Sequence, residues 1–101
     1  MNLAGISGRL DPVGKGGYGY EVFRVNVHGT FNCMLEELRI MRPAQNGIPG
    51  GAIVNAASVT GLVGKPNCAM FSASQQAIVG LTKSAAGEQK KTGIRINAVA
   101  P

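Results

Sequence analysis

Tryptophan is absent from this 101-residue sequence, and three Phe and two Tyr are its whole aromatic content. Cysteine is scarce too. Cys33 and Cys68 are too few for the disulfide framework of a small secreted scaffold, and a single His leaves no Cys/His set at zinc-ligand spacing. Charged residues make up only 15% while hydrophobic ones reach 45%, a balance that excludes a disordered tail. No apolar run approaches the ~20 residues of a membrane-spanning helix. Nothing at the N-terminus reads as a signal peptide. Collagens, knottins, zinc ribbons and membrane-spanning proteins are thereby set aside. Two free thiols and no targeting signal predict a cytoplasmic location.

Negative charge is also short: five Asp and Glu face ten Lys and Arg, for a net charge of +5. The basic residues are scattered along the chain, Lys90-Lys91 is their one adjacent pair, and no aromatics interleave with them. That scatter fits a solvated surface rather than a nucleic-acid reader, which gathers its charge on one face. The expectation is no nucleic acid, no membrane and no metal.

Glycine is plentiful, at 15 residues, and it punctuates the chain. Residues 1–19 hold six glycines and Pro12, and read as a loop. From Tyr20 to about Met41, Val22, Phe23, Val27, Phe31, Met34, Leu35, Leu38 and Met41 recur near helical spacing. Gly29 falls inside that helix and reads as a point of close packing against another backbone. Pro43 and the run Asn46–Gly51 end it. Ala52–Ala57 is a short apolar run bounded by turn signals, as in a buried parallel strand. Residues 59–67 read as a loop, and a second helix is predicted from about Asn67 to Lys91. Lys90 and Lys91 suit its last turn, and Gly93 its C-terminal cap. Ile94–Val99 reads as a second strand. Strand, helix, strand is one βαβ unit, and two strands are too few to bury themselves. The chain reads as a slice through a larger open α/β sheet.

Gly14-Lys15-Gly16-Gly17-Tyr18-Gly19 matches the letters of the dinucleotide motif G-x-G-x-x-G. Its context is wrong. Pro12 interrupts any strand before it, and a helical pattern fills the region where a ribose-binding acid belongs. The stretch reads as a flexible glycine loop.

Four segments, in order, carry a family resemblance. Asn2-Leu3-Ala4-Gly5 is similar to the motif N-N-A-G, with Leu3 in place of its second Asn. Asn26-Val27-His28-Gly29-Thr30-Phe31 is similar to N-V-x-G-x-F. Ile53–Gly61 resembles a fifth strand ending at a catalytic Ser, and Ile94–Pro101 a sixth strand entering a Pro-Gly turn. Together they resemble the short-chain dehydrogenases/reductases over nearly the whole chain, most weakly over residues 6–20. The resemblance implies an α/β fold, a partial Rossmann-like, doubly wound parallel-sheet fragment. That single partial domain, 1–101, would contain the family's helix 4, strand 5, helix 5 and strand 6. It would lack the N-terminal cofactor-binding half, with its T-G-x-x-x-G-x-G loop, and the C-terminal substrate loop.

The resemblance also implies site residues. Ser58 takes the place of the catalytic Ser and Asn26 that of the helix-four Asn. Asn2, Ala4, Gly5 and Pro101 flank what remains of a site for NAD or NADP. The family places a Tyr thirteen residues after the Ser and a Lys four after the Tyr; those places fall here on Phe71 and Gln75. The chemistry makes that departure consequential. Carbonyl reduction needs a proton for the developing alkoxide, and a Tyr hydroxyl gives one if a neighbouring cation lowers its pKa from about 10. A Lys one helical turn away supplies the cation. A Phe ring has no proton to give and a Gln no charge. Losing a general acid costs about 10²–10⁴ in rate.

Without that register, Ser58 is a turn residue at a strand end, Asn26 a polar helix residue, Phe71 core, and Gln75 a solvated helix former. The register favours the site reading for Ser58 and Asn26. Cys33 and Cys68 read as small packing residues and His28 as an ordinary helix position. The expected function is alcohol/carbonyl oxidoreduction by ancestry, with this chain impaired or inactive as a catalyst. Alternatives are a non-catalytic module pairing through helices 4 and 5, with itself or with an intact relative, and a partial gene model of a longer member.

Overall fold

The computed structural model describes residues 1–6, 8, 13 and 19–101. The glycine motif at 14–19 therefore lies outside the described residues except for Gly19, which begins a helix. The element order is α1 (Gly19–Phe23), a π-helical turn (Arg24–His28), α2 (Gly29–Ile40), β1 (Ala52–Ala56), α3 (Thr60–Val63), α4 (Ala69–Glu88) and β2 (Arg95–Val99). β1 and β2 pair in parallel, with Ala52 opposite Arg95 and Ala56 opposite Val99. The expected strand–helix–strand unit is present, and with it the partial doubly wound α/β arrangement.

Three expectations change. The first helix is not uniform: α1 and α2 are joined by the π turn, in which the Gly29 N–H donates to the Arg24 carbonyl five residues back. Gly29 belongs to that wide turn, and a Cβ there would meet only the Arg24 oxygen, at 3.7 Å. It does not mark close packing against another element. The second helix is shorter than predicted. Asn67 has φ 67° and Cys68 lies off the helical region, so α4 starts at Ala69. It ends at Glu88, which puts Lys90, Lys91 and Gly93 in the turn before β2 rather than at the helix end. Gly93 has φ +72° there, a conformation that favours glycine. Within the predicted loop 59–67, a one-turn helix, α3, packs on α4. A Cβ on Gly61 would meet Gln75 Cβ at 2.8 Å, so glycine is what lets the two approach.

One face of the sheet is covered. Met34 of α2, Ala85 of α4, and Ile53, Ile94 and Ile96 form the core, with Leu38, Met41 and Ala86 packed against it. Full burial of a side chain such as Ile53 contributes about 1.5–3 kcal/mol. Val54 and Ala56, which point the other way, are only half-buried. β1 was expected to be apolar and covered on both faces; α2 and α4 cover one.

Residue 2 extends the sheet. The Asn2 N–H donates to the Val54 carbonyl at 2.9 Å and the Ala56 N–H to the Asn2 carbonyl at 3.0 Å, a parallel bridge on the far edge of β1. Its side chain donates to Glu37 Oε1 and Asn55 Oδ1. Asn55 is fully buried and donates in turn to Thr82 Oγ1 at 3.0 Å and Met34 Sδ at 3.3 Å. A polar group in this core needs such partners, because burying it without them costs about 1–3 kcal/mol.

Candidate functional site

Parallel strands present ligands at their carboxyl ends, where the chain leaves the sheet. β1 and β2 both end at the loop that carries Ser58. The Ala57 N–H donates to the Val99 carbonyl at 2.7 Å, and the Val59 N–H to the Pro101 carbonyl at 3.1 Å. Beside this edge lies a cleft of about 260 Å³. Ala4, Gly5, Ser58, Phe71 and Gln75 all line it, with Ile6 and Ile78 among its apolar walls. The loop after residue 2, the end of β1 and the first half of α4 thus bring five of the sequence-predicted site residues to one place.

The other three stand around it. Asn26 is completely buried behind the cleft wall. The π turn holds it there, and a widened helical turn of this kind recurs at functional sites. Its Oδ1 accepts the Ile6 N–H at 2.7 Å; its Nδ2 donates to the Ile6 carbonyl at 2.7 Å and to Ser74 Oγ at 3.0 Å. Gly5 makes room for this clasp, since a Cβ there would sit 3.2 Å from Asn26 Oδ1. Asn2 lies below the cleft with its side chain committed to Glu37 and Asn55. Pro101 borders the Ser58 loop through the backbone bond to Val59.

Within the cleft, Ser58 Oγ accepts from Thr60 twice, from its N–H at 3.3 Å and from its hydroxyl at 3.2 Å. Gln75 is buried, not the solvated helix former that its residue type suggests. Its Nε2 donates to Ser74 Oγ at 3.3 Å, and Ser74 donates to the Phe71 carbonyl at 2.7 Å. Phe71 is half-buried on the same helix face. Among the described residues, no side chain lining the cleft carries an ionisable group. The arrangement can polarise a carbonyl with one hydroxyl; the described residues lining it include no proton donor of tunable pKa.

Sequence reasoning missed Ser74 and Thr60. Ser74 is fully buried and ties Asn26 to Gln75. Its signal was available: 71, 74, 75 and 78 share one face of a helix, so two polar residues sit inside an apolar stripe. Ser72, also buried, does not line the cleft. Cys68 is buried as expected, but Cys33 is exposed on α2 and packs nothing away. His28 is exposed, and the described residues contain no group of side chains able to hold a metal ion. Among them, too, no helix is long and apolar enough to cross a membrane. A larger hollow of about 510 Å³ lies between α4 and β2, lined by Val79, Ala86 and Ile96 among others; none of the site residues reaches it.

Comparison with known proteins places these features. Residues 12–101 match the model of the short chain dehydrogenase family. The chain is 41% identical over 105 aligned positions to the short-chain dehydrogenase/reductase ABA4 of Pyricularia oryzae, covering 99% of this chain and 37% of that protein. It is 42% identical over 81 positions to an A-factor type gamma-butyrolactone 1'-reductase of Streptomyces virginiae, covering 80% and 30%. Among solved structures, levodione reductase superposes with a TM-score of 0.89 at 37% identity, covering 99% of this chain and 38% of that one. ElxO with NADP bound gives 0.88 at 37% identity, covering 99% and 40%. A 4-hydroxyisoleucine dehydrogenase complexed with NADH and succinate gives 0.83 at 37%, covering 99% and 46%. The chain thus spans less than half the length of these relatives.

Proposed function

This chain belongs to the short-chain dehydrogenase family, and from that premise we propose that its cleft descends from a nicotinamide-dependent alcohol/carbonyl oxidoreductase site and has lost proton transfer. One observation carries the reading: Phe71 and Gln75 line the same cleft as Ser58, at the two places where the family's proton chemistry resides, and nothing ionisable among the described residues lines it with them. Ser58 donates a hydrogen bond to a carbonyl oxygen and stabilises charge that develops there. Phe71 delivers no proton to that oxygen. Gln75, neutral and bonded inward to Ser74, would not lower the pKa of a Tyr restored at 71.

Solved relatives bound to NADP in one case and NADH in another support either coenzyme. The coenzyme, when bound, supplies or accepts the hydride. Ala4 and Gly5 would flank its nicotinamide end, with Pro101 beside the Ser58 loop at the rim, and the small residues Ala4, Gly5, Ala56 and Ala57 suit a flat ring there. Asn2 would hold the loop in place from below rather than touch the ring. Asn26 would fix Ile6 and Ser74, and so the two walls.

The test is hydride transfer by the purified chain with NADH or NADPH and a panel of ketones and alcohols. The expected rate is background. Turnover well above background would overturn the reading.

A second reading has its own observation. Phe31 and Leu35, one turn apart on α2, are each almost half exposed. An exposed apolar pair on that helix supports pairing through α2 and α4, between two copies or with an intact relative. Phe31→Glu or Leu81→Glu should then abolish co-purification with such a partner. A monodisperse monomer that ignores it would count against this reading.

A further inference from the structure

The cleft's two polar side chains are both held from behind, and at Gln75 the hydrogen-bonding sense is fixed. At Gln75 the fixing starts at the backbone of residue 6. The Ile6 N–H can only donate, so it faces the Asn26 carbonyl oxygen, and the Asn26 amide nitrogen then points at Ser74 Oγ. Ser74 spends its one hydrogen on the Phe71 carbonyl, at 2.7 Å. Its oxygen is left to accept, and a Gln75 side chain in contact with it must present Nε2. Gln75 therefore offers the cleft its Oε1, an acceptor with no hydrogen-bond donor among the described residues. At Ser58, Oγ accepts the Thr60 N–H and its one other partner among the described residues is the Thr60 hydroxyl; with that hydroxyl donating, the Ser58 proton is free to turn to the cleft.

We infer that the cleft is a receptor for a flat, neutral carboxamide. The amide oxygen takes the Ser58 proton, the amide N–H donates to Gln75 Oε1, and an attached ring lies along the half-buried face of Phe71. An ester or ketone satisfies only the first contact, and a carboxylate brings a charge that no described cleft side chain offsets. In its choice of cleft the proposal rests on the reading above. Its evidence is separate, and so is its failure: it concerns which neutral groups bind, whether or not hydride moves.

The test is proton–nitrogen correlation NMR of the full 101-residue chain titrated with benzamide, acetophenone and N,N-dimethylbenzamide. Benzamide should move the resonances of residues 4–6, 58 and 75 with a Kd on the order of 1 mM, as befits so small a ligand. Acetophenone and the dimethyl amide keep the carbonyl and the ring but have no N–H; each should bind about 3- to 10-fold more weakly, the worth of one net hydrogen bond. Ser58→Ala should weaken all three by a similar factor. Gln75→Met should erase the preference for benzamide and leave acetophenone unchanged. Affinity for benzamide should be flat from about pH 6 to 8, since no described lining side chain is ionisable. Equal binding of the three ligands, a preference that survives in Gln75→Met, or no cleft response to ~10 mM benzamide would each overturn the proposal. The comparison among ligands needs no variant, so it stands even if Gln75→Met does not fold.

Discussion

Asn26 and Asn55 are both completely buried, both contact side chains of α4, and both anchor one of the first six residues, Asn26 through the Ile6 backbone and Asn55 through the Asn2 side chain. What differs is where their hydrogen bonds lead. Those of Asn55 run to Asn2, Thr82 and Met34, and the Thr82 hydroxyl returns to its own helix at the Ile78 carbonyl. The circuit closes inside the scaffold and ties the residue 2 bridge, β1, α2 and α4 together. Those of Asn26 run to Ile6 and Ser74, and through Ser74 to Gln75 and the cleft. The same residue type, equally buried, serves stability in one place and the orientation of a site in the other. The lesson is to follow a buried polar group to the end of its chain of partners before assigning it a role.

Substitutions can break or sharpen that contrast. The largest effect is expected from Asn55→Leu, which leaves the Asn2 amide with Glu37 alone and takes the Asn55 donor from buried Thr82; a loss of about 2–4 kcal/mol should appear in the urea midpoint. It should leave the hydrogen-bonding senses at Gln75 as they are. Asn26→Leu comes next, at about 1–2 kcal/mol, because the Ile6 backbone groups lie near the surface and regain water. Its distinguishing mark should be at the cleft, with large shifts for Gln75 and Ser58 in NMR spectra. If Asn55→Leu disturbed the cleft as much as Asn26→Leu does, the two circuits would be one. Ser74→Ala should cost about 1 kcal/mol and free the Gln75 amide to turn, seen as broadening of its side-chain resonances.

The smallest effect belongs to the surface. Glu21 pairs with Arg24 at 2.7 Å, and the hydrogen bond and charge of that guanidinium hold the carboxyl below its usual range. Its contribution is present at neutral pH and fades as pH falls through the lowered value. Both side chains are exposed, so solvent screens the pair; Glu21→Gln should leave the thermal midpoint unchanged within error at pH 7 and at pH 3. A measurable drop at neutral pH alone would mean that the pair steadies the neighbouring π turn.

Much of this was legible in the sequence, for identifiable reasons. Periodicity and turn signals located both strands and both long helices. The count from Ser58 to 71 and 75 assembled the cleft. The π turn was not legible, because an apolar stripe with one extra residue still looks helical over a short window. The start of α4 was hidden by Asn67, whose positive φ is a local backbone choice that no pattern announces. Gln75 illustrates a third limit. Its type favours a wet helix face, and only Ser74 beneath it and Gly61 pressed against its Cβ account for its burial.

The wide turn at Arg24–His28 has a consequence for insertions and deletions. It holds one residue more than a regular helix of equal rise, so everything upstream is rotated by about 100° relative to α2. Excising a single amino acid from it would heal the helix and, in the same stroke, swing Val22 out of the interior and Asn26 off its partners. A sequence one residue shorter here would be a more regular helix carrying a different molecule.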